Sequence, residues 1–267
     1  MTRKTVYINP DVTIMNSADK LLNIIERFDP ISLDRMDKVK LMRRTDTKFV
    51  FNVSVLPQLL EKALDNYFMV EIENEREQIY LTTYFDTSNY TMYHLHHNGK
   101  LNRHKVRVRK YIYSKHEFLE IKRKNNKGET IKKRVEHDEN NPELDIFAQG
   151  RFIEKNSPFK TALLKPTLGN KFIRLTLVSK DFNERITLDY NIKFTDLKYK
   201  YESEPYNVCI AEIKKERYEK ETPFVGYLKD LRINPVGFSK YCMGMALLNP
   251  DVKNNNFKQK IRQLIKI

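Results

Sequence analysis

Lys105-Val106-Arg107-Val108-Arg109-Lys110-Tyr111 alternates polar and apolar residues with a period of two. A strand sends successive side chains to opposite faces. Arg107, Arg109 and Tyr111 therefore share one face, and Val106 and Val108 the other. The same pattern recurs along the chain. Phe118–Lys124 places Glu120, Lys122 and Lys124 together, and Glu184–Ile192 sets Arg185, Thr187, Asp189 and Asn191 against Ile186, Leu188, Tyr190 and Ile192. Arg174 and Thr176 oppose Ile173, Leu175 and Leu177, while Glu212 and Lys214 oppose Ala211 and Ile213. An ordinary antiparallel sheet with one wet face would explain any one of these strands. Solvated faces mix signs, however, and here nearly every strand carries an Arg or Lys near its middle. The pattern predicts an α+β fold: a closed antiparallel β-barrel of about eight strands, forming a basic tunnel and covered outside by helices. Converging cations are costly unless an anion fills the space between them. Phosphate suits that space, because Arg offers bidentate donors and Lys a mobile point charge.

Around these strands, residues 1–43 read as a helical N-terminal leader. Ser17 is placed to cap a segment with Leu21, Leu22, Ile24, Ile25 and Phe28 on one face, and Ser32 to cap the next turns after Asp29-Pro30. No strand is expected there. Residues 44–250 form the central domain. It starts with a strand over 44–51, followed by a helix capped by Ser54 with Leu56, Leu59, Leu60, Ala63 and Leu64 as its stripe. Consecutive strands are expected from about 79 to 135, with Asn126-Lys127-Gly128 as a turn. Residues 142–168 read as largely helical to near Pro166, strands resume at 171–179, 184–194 and 208–215, and a helix covers 239–248. Residues 251–267 form a basic tail, expected to be exposed.

Composition narrows the function. The 267 residues carry 49 Lys and Arg against 35 Asp and Glu, a net charge of +14, which calls for a polyanionic partner. A hydrophobic fraction of 40% is enough for a core. No run approaches the length of a membrane helix, and MTRKTVYINPDVTIMN lacks the apolar stretch of a signal peptide. An outer-membrane barrel is disfavoured because Lys110, Lys133 and Lys215 would face lipid. Cys209 and Cys242 give no disulfide framework and no zinc spacing, so a cytoplasmic setting is expected. No GxxxxGK[ST] or GxGxxG phosphate loop is present. His94, His96 and His97 suit neither common zinc pattern and are assigned a structural role. Tyr84 and Tyr93 are assigned to packing.

Several blocks taken in order resemble the catalytic domain of the vacuolar transporter chaperone (VTC) polyphosphate polymerases. They are Tyr84-Phe85-Asp86, Tyr93, Asn98-Gly99-Lys100, Lys105–Arg109, Phe118–Lys122, Thr130–Arg134, Arg185–Asp189, Ala211–Lys214 and Phe238-Ser239-Lys240-Tyr241. The resemblance runs from about Arg44 to Leu248 and implies the triphosphate tunnel superfamily, whose fold is a closed barrel around a basic tunnel. It implies phosphate contacts from Lys48, Arg107, Arg109, Lys122, Lys132, Arg174, Arg185 and Lys240. It implies Glu212 as the acid holding Mn²⁺ or Mg²⁺, with Glu120 a weaker second candidate. Arg134, Asp189 and Lys214 are supporting residues, Asp189 as partner to a tunnel Arg, and Lys240 is expected to close one mouth. Arg44-Thr45-Asp46-Thr47-Lys48 lacks the Glu-x-Glu-x-Lys signature of the cyclase and thiamine triphosphatase branch. A soluble, stand-alone, bacterial-type version is implied, without the sensing domain and membrane helices of the eukaryotic complex.

The expected partners are ATP and a polyphosphate or triphosphate chain. The expected reaction is transfer of the γ-phosphate to that chain. Water as nucleophile on the same scaffold would give an inorganic triphosphatase or polyphosphatase. A module that binds polyphosphate without turnover is a third reading. Nucleic-acid binding would favour exposed cations with aromatic platforms, whereas this pattern encloses its cations, so no specific nucleic acid is expected.

Overall fold

The computed structural model describes residues 19–37, 44–136, 142–216 and 221–266. Eight strands hydrogen-bond side by side in the order β2 (Arg44–Asn52), β11 (Val208–Glu216), β9 (Glu184–Asp196), β8 (Leu164–Ser179), β4 (Gln78–Thr87), β5 (Arg103–Tyr111), β6 (Glu117–Lys124) and β7 (Thr130–Glu136). Every pairing along this path is antiparallel. The sheet curls, but it does not close as the sequence reading expects: it is an open half-barrel. The two end strands are unsuited to each other. The outer edge of β2 is already met by residues 235–236, where Phe49 bridges Pro235 and the Val236 N–H donates to the Lys48 carbonyl at 2.8 Å. Proline has no N–H to extend a ladder. At the other end, β7 is almost wholly exposed and carries Lys132, Lys133 and Arg134, a row of like charges that blunts an edge.

The convex face is apolar and covered. Phe49, Phe51, Leu175, Leu177, Ile186, Leu188, Ala211 and Ile213 bury themselves under α3 (Leu56–Ala63), α6 (Pro223–Asp230) and a helix over 19–26. Ile24, Ile25 and Phe28 join this core, whereas Leu22 is exposed. Ser17 lies outside the described residues. Contrary to expectation, residues 30–32 form a short strand, β1, parallel to β3 (Tyr67–Glu71), which was itself unread. Ser32 Oγ accepts the Arg35 N–H at the start of α2 (Leu33–Asp37), as expected. Ser54 does not cap α3. It sits in a 3-10 turn whose cap is the Asn52 side chain.

Two further departures have local causes. The chain turns helical at α4 (Thr91–His97) because Asp86 accepts the N–H groups of Thr87, Met92 and Tyr93, satisfying donors at the helix start. The helix expected to end near Pro166 stops earlier, at Asn156, and β8 begins at Leu164. In β9 the expected phase holds only as far as Tyr190. Asn191 takes a left-handed φ of 49° and is exposed, and the β8–β9 register shifts beside it. That bulge turns Ile192 away from Ile186 and Leu188 into a second core.

This second core closes one end of the concave face. It is built around α7 (Lys240–Leu248), whose Tyr241 stacks on Tyr84 at 5.1 Å and donates to Asp86 at 2.5 Å. Contrary to the exposed tail expected from the sequence, residues 251–266 fold onto it, with Val252, Phe257 and Leu264 buried and α8 (Lys258–Lys266) running across. Gly244 lets α7 approach the sheet: an added Cβ would stand 2.6 Å from Leu168 and 2.7 Å from Phe194. Gly244→Ala should therefore destabilise by about 1–3 kcal/mol through overpacking, read as a lower urea midpoint with unchanged slope. Among the described residues no helix is long and apolar enough to cross a membrane.

Candidate active site

Strand register assembles the site. Across β5–β6, Lys105 stands opposite Lys122 and Arg107 opposite Glu120. Across β6–β7, Lys122 faces Lys132. Arg174 faces Asp189 across β8–β9, Arg185 faces Lys214 across β9–β11, and Glu212 faces Lys48 across β11–β2. Residues that are direct neighbours across a ladder share a face, so one period-two pattern, repeated in register, fills one concavity. The trough encloses about 1870 Å³ and is lined by thirteen Lys or Arg side chains but only four Asp or Glu. That excess decides its character.

Three carboxylates divide the cations into groups. Glu120, fully buried, accepts from Arg107 Nε at 2.7 Å and pairs with Lys132. Asp189 holds Arg174 through two bonds of 2.5 and 2.8 Å and also takes Lys240. Glu212 lies 3.0 Å from Lys48 and 3.1 Å from Lys214. Burial would raise all three carboxyls, yet the cations win. Arg107 and Arg109 hold Glu120 far below the carboxylate range, Arg174 and Lys240 hold Asp189 down at about 2, and Lys214 and Lys48 hold Glu212 well down. All three are ionised at neutral pH.

Among the described residues, Arg109 and Lys122 have no such partner. Buried Arg109 donates to Thr82 Oγ1 at 3.3 Å and lies over the rings of Tyr80 and Phe172, but no described carboxylate pairs with it. Lys122 is likewise without a described acid partner, and Arg107 and burial push it well below the usual lysine range. A buried cation without a counter-charge costs several kcal/mol, and an entering anion relieves that cost. Burial likewise brings Lys240 down to about 8, although it touches a carboxylate. Anion binding favours its charged form. At about pH 8.5, tripolyphosphate should bind with net proton uptake, seen as a buffer-dependent heat in calorimetry. Equal heats in two buffers would contradict this.

The sequence-predicted residues Lys48, Arg107, Arg109, Lys122, Lys132, Arg174, Arg185, Lys240 and Glu212 all line this one trough, as do Asp189 and Lys214. Glu120 lies beneath its wall. Arg134 does not join them. It sits on the outermost strand, exposed, with its guanidinium 4.5 Å above the Phe118 ring. Lys240 does not close a mouth. It is buried on Asp189, 4.4 Å above the Phe172 ring. Tyr84 and Tyr93 pack as expected, Tyr93 against His97 and Phe257. His97 is structural: its ring accepts the Asn256 N–H at 3.3 Å. His96 instead lines the trough. Arg103, Lys105, Lys124 and Lys260 also line the trough, although none of them was among the phosphate-binding residues expected from the sequence. Lys105 and Lys124 were legible, because they share the phase of Arg107 and Lys122.

Among the described residues no three His, Cys, Asp or Glu converge on a metal position. Glu212 offers an ionised carboxylate to the open trough. One carboxylate completed by substrate phosphate oxygens is a donor set that Mg²⁺ or Mn²⁺ accepts.

The VTC domain matches residues 43–249, which contain every strand of the curled sheet and α7. The chain belongs to the VTC domain family. No curated protein matches it. Several solved structures are similar at low identity. A putative adenylyl cyclase from Hippeastrum, described as having a dominant triphosphatase activity, is 16% identical with a TM-score of 0.49 and covers 79% of this chain and 99% of its own. A putative adenylate cyclase from Vibrio parahaemolyticus is 10% identical with a TM-score of 0.44, covering 74% and 95%. The PH1819 protein of Pyrococcus horikoshii is 14% identical with a TM-score of 0.43, covering 76% and 98%. In this VTC domain, α8 and Lys260 lie beyond the matched residues.

Proposed function

We propose that this VTC domain is a polyphosphate polymerase that transfers the γ-phosphate of ATP to a growing phosphate chain. The observation that carries the proposal is the cation excess of the trough, in which buried Arg109 and half-buried Lys122 have no acid partner among the described residues. Such a site is complementary to a ligand with several adjacent negative charges. Arg107, Arg109, Lys122 and Arg174 are placed to hold the triphosphate from two walls, with Glu120 and Asp189 fixing the guanidinium planes of Arg107 and Arg174. An ionised terminal oxygen of the chain attacks the γ-phosphorus, the bond to the bridging β-oxygen breaks, and ADP leaves. No protein base is required, because the nucleophile carries no proton. Arg and Lys donors neutralise the equatorial oxygens as charge redistributes. Mg²⁺ or Mn²⁺ at Glu212, when bound, supplies further charge neutralisation at the phosphate oxygens.

The open side between β2 and β7 favours a second reading, because it admits water to the phosphates: an inorganic triphosphatase on the same scaffold. Incubation of purified protein with ATP and Mn²⁺ or Mg²⁺, followed by resolution of the phosphate products by length, separates the readings. The polymerase yields ADP and chains longer than three phosphates. Orthophosphate as the sole phosphate product assigns the hydrolase. Tight chain binding without ATP consumption assigns a storage or sensing module.

A further inference from the structure

One end of the trough has a charge character different from the rest. Lys105 Nζ donates to Ser239 Oγ at 2.7 Å, and Lys260 Nζ donates to the Gly237 carbonyl at 2.6 Å. These bonds bring β5 and α8 to the same short segment, 237–239. Arg103 and Lys124 stand opposite each other in the β5–β6 register, next along the ladder from Lys105 and Lys122. All four cations line the trough, yet no described carboxylate pairs with any of them. The interior groups, by contrast, are organised around Glu120, Asp189 and Glu212. His96 also lines this end, with Nδ1 buried and lacking any hydrogen-bond partner. Burial and the surrounding Lys105, Arg103, Lys260 and Lys124 hold its ring neutral, down at about 2. A buried ring nitrogen without a partner, beside four cations that no described carboxylate neutralises, marks a place where an anion would supply the missing counter-charge.

We propose that Arg103, Lys105, Lys124, Lys260 and His96 form a second anion subsite, which takes a condensed-phosphate segment lying beyond the triphosphate held in the trough interior. The proposal rests on the polymerase reading for the identity of the chain but not for its binding. Lys260 belongs to α8, outside residues 43–249. The C-terminal helix thus completes an end wall that the matched domain alone lacks. A condensed phosphate fits better than a nucleic acid, because the aromatic rings at this end are committed to packing: Phe257 is buried against Tyr93, and Phe238 is half-buried against the second core.

The test is calorimetric titration without nucleotide, on the full chain and on the double variant Lys124→Ala, Lys260→Ala. The probes are inorganic tripolyphosphate and a polyphosphate of about fifteen units. Loss of two charge-assisted contacts should weaken the long chain by at least about tenfold and leave tripolyphosphate affinity within about twofold. Thermal melting checks that both proteins are folded. Equal weakening of both probes would place these residues in the interior site and overturn the proposal, as would no change for either. Displacement of the long chain by an equally charged single-stranded RNA at the same concentration would also overturn it. Failure to make polymer from ATP leaves the binding result intact, so the two readings fail separately.

Discussion

Arg107→Ala combined with Arg109→Ala should lower kcat/KM for ATP by more than ~10³, since loss of one transition-state donor already costs about 10²–10³. The single variants should differ in what they do to the fold. Arg109 has no acid partner and repels Arg107 and Arg174, which together with burial lowers its proton affinity. Its removal relieves like-charge strain, so Arg109→Ala should unfold at a urea concentration equal to or above that of the unaltered protein. Arg107 is the principal partner of a fully buried carboxylate. Its removal leaves Glu120 with Lys132 as its one remaining direct ion-pair partner among the described residues and should lower stability. Activity loss in both, with opposite stability shifts, distinguishes a substrate clamp from a structural one. Retained turnover in the double variant would refute the clamp.

The largest stability effect should come from Glu120→Ala. Deleting one partner of a buried pair costs about 3–5 kcal/mol, because the other charge is left in a low-dielectric site. Here the remainder is Arg107, Arg109 and Lys132 crowded together. Glu120→Gln should recover little, since its amide keeps the shape but not the charge. The same carboxylates set the acid limit. Glu120 and Asp189 bind protons more weakly folded than unfolded, where they titrate near 4.3 and 3.9. Their contribution is therefore complete above about pH 5 and is lost as pH falls through the folded values, about 2 for Asp189. Unfolding free energy should drop steeply below about pH 4, and Glu120→Ala should flatten that slope. An unchanged slope would mean that other groups set the acid limit.

The concave face was legible because register and phase carry the same information. Once Lys105–Tyr111 alternates, antiparallel pairing places its basic phase against that of each neighbour, and the trough follows. Closure was not legible. It depends on what meets the outer edge of β2, and Pro235 reaches it from almost two hundred residues away. The phase flip at Asn191 was hidden for a related reason: a bulge adds a residue without altering the alternation of residue types. Arg134 shares both the phase and the edge strand of Lys132, but its guanidinium lies over the Phe118 ring and not in the trough. The short strands β1 and β3 escaped notice because their pairing is a tertiary event, with neither alternating long enough to announce itself. Lys240 lines the trough instead of standing at a mouth, since Asp189 and the Phe172 ring draw it inward.

The gap between β2 and β7 changes how a long ligand comes and goes. A closed pore admits a chain only by its end, so a blocked end excludes it. A gutter accepts a chain laid in from the side, at any point along its length, and bulky or capped termini are no obstacle. Escape is also lateral: the chain can lift off all its contacts at once, and its residence depends on how many cations grip it simultaneously. Product length would then be set by the length of the gripping row, not by the time needed to thread.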